Sequence, residues 1–310
     1  MQKSNLFKRS WIFLIGLGIA LALLTIVRLT LAQTQDFSRV EIKTIPVTTG
    51  IYMLVGEGGN IGVSAGEDGV FLIDDQFAPL TEKIQTAIAS INKKPIRFVL
   101  NTHWHFDHTG GNENLGKAGV TIVAHDKVRE YMTSEQFIES LNMKFPASPP
   151  AALPIITFND TVTFHLNGNT IKAFHVQPAH TDSDCAIEFT EANVIHTGDV
   201  YFNGIYPFID ISHGGSIEGT IAAADRLLEM AGEETKIIPG HGSLSNRAEL
   251  LAYRDMLIAV RDRTQSAIAK GMTEEEFIAT NPTADLDSIW GKGFLKPEQF
   301  LQIVYADLKQ

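Results

Sequence analysis

The sequence predicts an α/β layered fold on three observations. Apolar runs of strand length follow one another through glycine turns, a run of helical spacing separates two of them, and histidines and aspartates stand just past their ends. Residues 51–55, followed by Gly56, Gly58 and Gly59, and then residues 61–63 and 70–75, read as short strands in a β-rich start. Residues 81–91 carry Ile84, Ala87, Ile88 and Ile91 at helical spacing behind Pro79, which predicts an amphipathic helix. Residues 96–100 form a buried-type strand that stops where the histidines begin.

The pattern then repeats. Residues 121–124 predict a strand and 127–132 a helix, while 161–164 and 170–176 predict a hairpin around Asn167, Gly168 and Asn169, which tolerate positive φ. Residues 186–189 and 194–196 form another expected pair, 217–230 a helix, and 236–238 a strand ending at Pro239, Gly240, His241 and Gly242. Asn246 with Glu249 and Thr273 with Glu276 resemble capping boxes ahead of C-terminal helices, the first over 250–270, and 297–308 predicts a terminal helix. The proline-rich stretch 145–154 reads as a loop or flap at the margin of a site. The expected organisation is one domain over 33–310 with a helical extension over 246–310.

A chain of 310 residues with 44% hydrophobic and 20% charged residues buries a sizeable core without staples. With one cysteine, Cys185, there is neither an intrachain disulfide nor a thiolate cluster, so any metal must be held by carboxylates and the ten histidines. Cys185 precedes an alternating strand and has no evident base partner, which favours a packing role. Lys3, Lys8 and Arg9 precede an apolar run over 11–27, with Arg28 and the small-residue site at 30–32 behind it, as in an export signal. The expectation is cleavage after Ala32, with an uncleaved membrane anchor as the alternative. Both place the body in the periplasm or elsewhere outside the cytoplasm. Removing the four basic residues of that segment takes the net charge from -11 to -15, which argues against nucleic acid or an anionic membrane surface as partner.

The chemistry concentrates at residues 102–111, where His103, His105, Asp107 and His108 fall within six positions directly after a strand. On a tight turn, His103 and His105 can face one metal while Asp107 and His108 bend back toward a second. Gly110 and Gly111 then permit close backbone approach, and Thr102 can tie the turn through its hydroxyl. Four candidate ligands in this register argue against isolated, merely satisfied polar residues.

These residues, together with His180, Asp199 in Thr197-Gly198-Asp199 and His241 in Pro239-Gly240-His241-Gly242, resemble the metallo-β-lactamase-fold superfamily over about residues 42–245. The resemblance implies a four-layer αβ/βα sandwich. It also implies that His103, His105 and His180 bind a first metal and Asp107, His108 and His241 a second, with Asp199 bridging and Asp74 supporting the loop. Imidazole and oxygen ligands suit zinc, two ions being expected. Two such ions supply a hydroxide nucleophile and polarise a carbonyl, with Asp107 orienting the water and exchanging its proton.

The expected function is a zinc-dependent hydrolase of a small ester, lactone, thioester or cyclic amide, a β-lactam included. The alternatives are a mononuclear-iron sulfur oxidoreductase on the same fold and a noncatalytic metal-containing binding protein. Asp199 stands where many family β-lactamases carry cysteine or serine, and Phe202 where one subclass places lysine, which weakens a dedicated β-lactamase. Glyoxalase II-like thioesterases share the bridging aspartate, but their glutathione-binding residues have no match in the C-terminal helices. Tyr201, Phe202, Asn203, Tyr206, Phe208 and His213 are expected to form an aromatic substrate rim. His125, His165, His175 and His196 have weaker claims, and Trp104 and Phe106 are expected to anchor the histidine turn.

Overall fold

The computed structural model describes residues 36–310, so the export signal expected over 1–32 lies outside the described residues. Among the described residues no helix is long and apolar enough to cross a membrane. The chain divides into two units, 1–39 and 40–310. The described part of the first is residues 36–39, with a single 3-10 turn, Phe37–Arg39.

In the second unit the strands run β1 Lys43–Thr48, β2 Ile51–Val55, β3 Ile61–Gly66, β4 Gly69–Ile73, β5 Ile96–Leu100, β6 Thr121–His125, β7 Gln136–Ile138 and β8 Met143–Phe145. They continue as β9 Ile156–Phe158, β10 Thr161–Leu166, β11 Asn169–His175, β12 Cys185–Phe189, β13 Val194–His196, β14 Lys236–Ile238 and β15 Ser245–Asn246. One mixed sheet has the order β1-β2-β3-β4-β5-β6-β9 and the other β10-β11-β12-β13-β14-β15, while β7 and β8 pair alone. Helices flank both sheets, giving the αβ/βα sandwich that the resemblance implied.

The inner layer is built by alternation. Ile73, Leu100 and Val123 of the first sheet meet Ala173, Ile187, Val194 and Ile238 of the second in one buried cluster. Their chain neighbours Phe174, Ala186, Ile195 and Ile237 point the other way, into a cluster with the helices Ile217–Met230, Arg247–Ala269 and Pro297–Lys309. Each fully buried Ile or Phe here contributes about 1.5–3 kcal/mol. Cys185 lies in the inner cluster, and burial pushes its thiol up, in keeping with a packing role.

The helix Thr81–Ile91 and the strand Ile96–Leu100 fall where their periodicity placed them. The turn of the β10–β11 hairpin uses positive φ at Asn167 and Gly168, 55° and 73°. Thr273 and Glu276 form their capping box. At Asn246 the side chain caps the backbone N–H groups of Ala248 and Glu249, while Glu249 takes the Asn246 side-chain amide and the Ser245 hydroxyl instead of closing a box. Five strands had no forecast: β1, β7, β8, β9 and β15. In β1, Pro46 is tolerated because the strand is a sheet edge, and β7 and β8 are too short to show a period.

Candidate metal centre

The centre forms because parallel strands end together. Strands β4 and β5 pair in parallel through Ile73 and Leu100, and β13 and β14 through His196 and Ile238. The loops leaving these four strands carry Asp74, residues 103–108, Asp199 and His241, and the loop before β12 adds His180. Sheet ends hold such loops rigidly while leaving them open on one side.

Three imidazoles converge first. His180 Nε2 lies 2.8 Å from His105 Nδ1 and 3.2 Å from His103 Nε2, and all three residues are buried. The outward nitrogens decide what the inward ones carry. His105 Nε2 donates to the Asp210 carboxylate at 3.0 Å and His180 Nδ1 donates to the Phe208 carbonyl at 2.7 Å. Thr102 Oγ1 gives its proton to Asp74, so it accepts from His103 Nδ1 at 3.0 Å. The neutral rings therefore turn three lone pairs toward one point, an arrangement that repels itself unless a cation sits among them. On this observation the residues fit a metal ion.

The second set is Asp107, His108 and His241, whose ligand atoms lie within 4.8 Å of one another, as do those of the first. Asp199 spans the two. One carboxylate oxygen lies 3.1 Å from His108 Nε2, and the other 3.5 Å from His180 Nε2 and 3.4 Å from His241 Nε2. All seven ligands expected from the sequence are thus brought together in two adjacent sets, a candidate binuclear site.

Asp74 anchors the histidine turn. It adopts a left-handed φ of 63°, uncommon for a non-glycine residue, and accepts from Thr102 N–H, the Thr102 hydroxyl and His108 Nδ1 at 2.7, 2.8 and 2.8 Å. Asp184 does the same for His180, accepting the backbone N–H groups of His180 and Thr181. Asp210 holds two rings, His105 and His213, the latter at 2.7 Å. Gly240 is required for closeness: a Cβ there would stand 2.1 Å from an Asp199 carboxylate oxygen. We predict that Asp210→Ala lowers zinc affinity about 10–100-fold while the fold survives, as for other partners that orient a liganding histidine. Competition with a chromophoric chelator checks this, and unchanged affinity would count against the role.

The two sets differ in charge. Burial, then the charge of His108, holds His103 well below the usual imidazole range, and burial holds His180 at about 4. Burial also acts against a charge on His108 and His241, but it is outweighed, by Asp199, Asp107 and Asp74 for His108 and by Asp199 and Asp107 for His241, which rises to about 9. Asp107 is drawn down to about 2 by His108 and His241 despite its burial. At pH 7 His103 and His180 are thus ready for a cation, whereas the second set carries protons that a cation must displace. We predict that zinc binding at pH 7 releases protons and that the second ion binds more tightly as pH rises toward about 9. Calorimetry in buffers of different ionisation enthalpy reads this directly, and absence of proton release would contradict it.

A cavity of about 270 Å³ opens over both sets. His105, Asp107, Asp199 and His241 form its floor, Phe77, Phe106, Phe202, Phe208, Phe294, Ile138 and Leu141 its walls, and Glu57 the remaining lining group. Of the expected rim, Phe202 and Phe208 belong here, with Phe202 stacked on His241 at 5.1 Å. The others do not line it. Tyr201 is buried with its hydroxyl on Ser245, and Tyr206 is buried with its hydroxyl on Asp287. Asn203 donates to the Ser243 carbonyl, and His213 is buried between Asp210 and Gln136. The tyrosines turn inward because burying a ring is favourable once the hydroxyl finds a partner. Trp104 is buried beside the turn as expected, but Phe106 is a wall of the cavity. His196 is buried and donates to the Asn60 carbonyl, His125 and His175 stack on each other at 4.1 Å, and His165 is exposed.

Fold and paired ligand sets together define an αβ/βα sandwich with a candidate binuclear metal centre. The family model described as the metallo-beta-lactamase superfamily matches residues 54–241, and the chain belongs to that superfamily. Among curated relatives, a hydroxyacylglutathione hydrolase from Polaromonas sp. is 26% identical over 211 residues, covering 64% of this chain and 72% of the relative. An atrochrysone carboxyl ACP thioesterase from Aspergillus terreus is 26% identical over 225 residues, covering 72% of this chain and 60% of the relative. Among solved structures, the inverting sec-alkylsulfatase Pisa1 from Pseudomonas sp. superposes with a TM-score of 0.63 at 20% identity, covering 85% of this chain and 50% of that one. That likeness concerns the fold.

Proposed function

We propose that this chain is a binuclear zinc-dependent hydrolase of a small ester or thioester with an apolar acyl portion, lactones and cyclic amides being further candidates of the same chemistry. The observation that carries the reading is the convergence of inward-facing imidazole lone pairs on one side of Asp199 and a second His/Asp set on the other, beneath a cavity walled by phenylalanines. A ligand set of imidazole and carboxylate suits zinc. A pair of such ions supplies an activated water near neutral pH and draws charge from a scissile carbonyl.

The chain's own groups do the rest. Asp107 is partly buried, lines the cavity and lies 3.3 Å from His241, so its carboxylate can orient a water and take its proton. The aromatic walls hold an acyl group and exclude bulk water, which strengthens every charge interaction on the floor. Among the described residues that line the cavity there is no lysine or arginine to receive a carboxylate, which supports ester and thioester substrates over β-lactams. The names of two relatives, a hydroxyacylglutathione hydrolase and an ACP thioesterase, support the thioester side. From the sequence of residues 1–32 we further propose that the enzyme acts outside the cytoplasm. N-terminal sequencing of the processed protein tests that placement, and an intact Met1 would contradict cleavage.

Metal analysis coupled to a panel of phenylacetyl esters, phenylacetyl thioesters, lactones, β-lactams and phosphodiesters tests the function. The expected result is two zinc ions per chain and turnover concentrated in the acyl substrates. Iron with oxygen-dependent turnover, or full metal loading without hydrolysis of any member, would overturn it.

A further inference from the structure

A second and larger cavity, about 480 Å³, adjoins the one over the metal centre. Leu141 lines both, and the consecutive residues Phe294 and Leu295 line one each, so the two spaces adjoin along an apolar edge. The second space is of different character. Among the described residues lining it, Glu139 and Glu274 supply the only ionisable side chains, Gln299, Gln302 and Gln310 add amides, and there is no lysine, arginine or histidine. Its size lies within the range of small-molecule pockets. Glutamine amides both donate and accept, and two carboxylates without a counter-charge set a negative potential that repels anions.

Resting on the hydrolase reading above, we propose that this cavity binds the part of the substrate remote from the scissile carbonyl, and that this part is a cationic or neutral amide-bearing group and not an anionic one. The acyl portion occupies the phenylalanine-walled cavity and the remote group extends past the shared Leu141 edge to the glutamates and glutamines. Thioesters whose thiol carries carboxylates or phosphates are then poor substrates, whereas those of an aminoalkyl or acylaminoalkyl thiol are good ones.

The test is binding of two stable amides to the zinc-loaded protein by calorimetry at low ionic strength. Both carry a phenylacetyl group; one ends in a trimethylammonioethyl group and the other in a carboxyethyl group. In the double variant Glu139→Lys with Glu274→Lys, the anion-to-cation ratio of Kd is expected to fall at least tenfold from its wild-type value. The same charge change at the exposed pair, Glu233→Lys with Glu234→Lys, is expected to leave the ratio within about twofold. An unmoved ratio, an equal shift in both double variants, or failure of both amides to bind overturns the proposal. The readout does not require turnover: a shifted ratio beside absent hydrolysis of phenylacetyl thioesters would remove the hydrolase reading and leave the second cavity as a cation-selective site.

Discussion

Asp199→Ala is expected to weaken both halves of the centre at once. Its two carboxylate oxygens approach His108 on one side and His180 and His241 on the other, at 3.1, 3.5 and 3.4 Å, and Gly240 beside it has no side chain to take its place. Removing it deletes the one negative charge common to two cations. The loss of kcat/KM should be on the order of 10³-fold or more, beyond the 10–100-fold typical of partners one shell out. Zinc content should fall below two per chain, measured by mass spectrometry on the purified variant. Because Asp199 sits on a loop past β13, circular dichroism should show the wild-type fold. Full zinc content with full activity would show that Asp199 bridges nothing.

Asp107→Asn tests the proton path. The amide keeps one oxygen near His241 and His108 but loses the charge, so the ion among His103, His105 and His180 should be retained and the second bound more weakly, and the amide cannot accept a proton from the attacking water. A loss of about 10²–10⁴-fold in kcat is expected, the usual range for a positioned acid or base, with a much smaller change in KM. His165→Ala, at an exposed position on β10, is the matched control and should change neither parameter by more than about twofold. A variant Asp107→Asn with wild-type kcat would remove the residue from the proton path.

The sequence showed a great deal of this centre because its ligands are tied to strand ends. His103 to His108 follow the apolar strand β5, so local patterning located them before any fold was known, whereas Asp199 and His241, which follow β13 and β14, were assigned through the family resemblance. What it could not show depends on which distant groups meet. Asp210 and Asp184 matter through hydrogen bonds to His105 and to the backbone of His180, and nothing in their spacing announces those partners. The aromatic stretch after Asp199 was read as a rim from composition alone. Phe202 and Phe208 do line the cavity, but Tyr201 and Tyr206 turned inward, and the other walls came from Phe77, Phe106, Ile138, Leu141 and Phe294, scattered along the chain. The first trace of that wall, the β7–β8 hairpin carrying Ile138, is too short to display a period.

Anomalous diffraction at the zinc edge, on crystals of zinc-loaded protein, tests the central claim most directly. Two peaks are predicted roughly 3.5–4 Å apart, the separation usual for paired catalytic metals. One should lie among His103, His105 and His180 and the other among Asp107, His108 and His241, with the Asp199 carboxylate between them. A map with no peak at this place, or with zinc bound only elsewhere on the chain, would contradict the account.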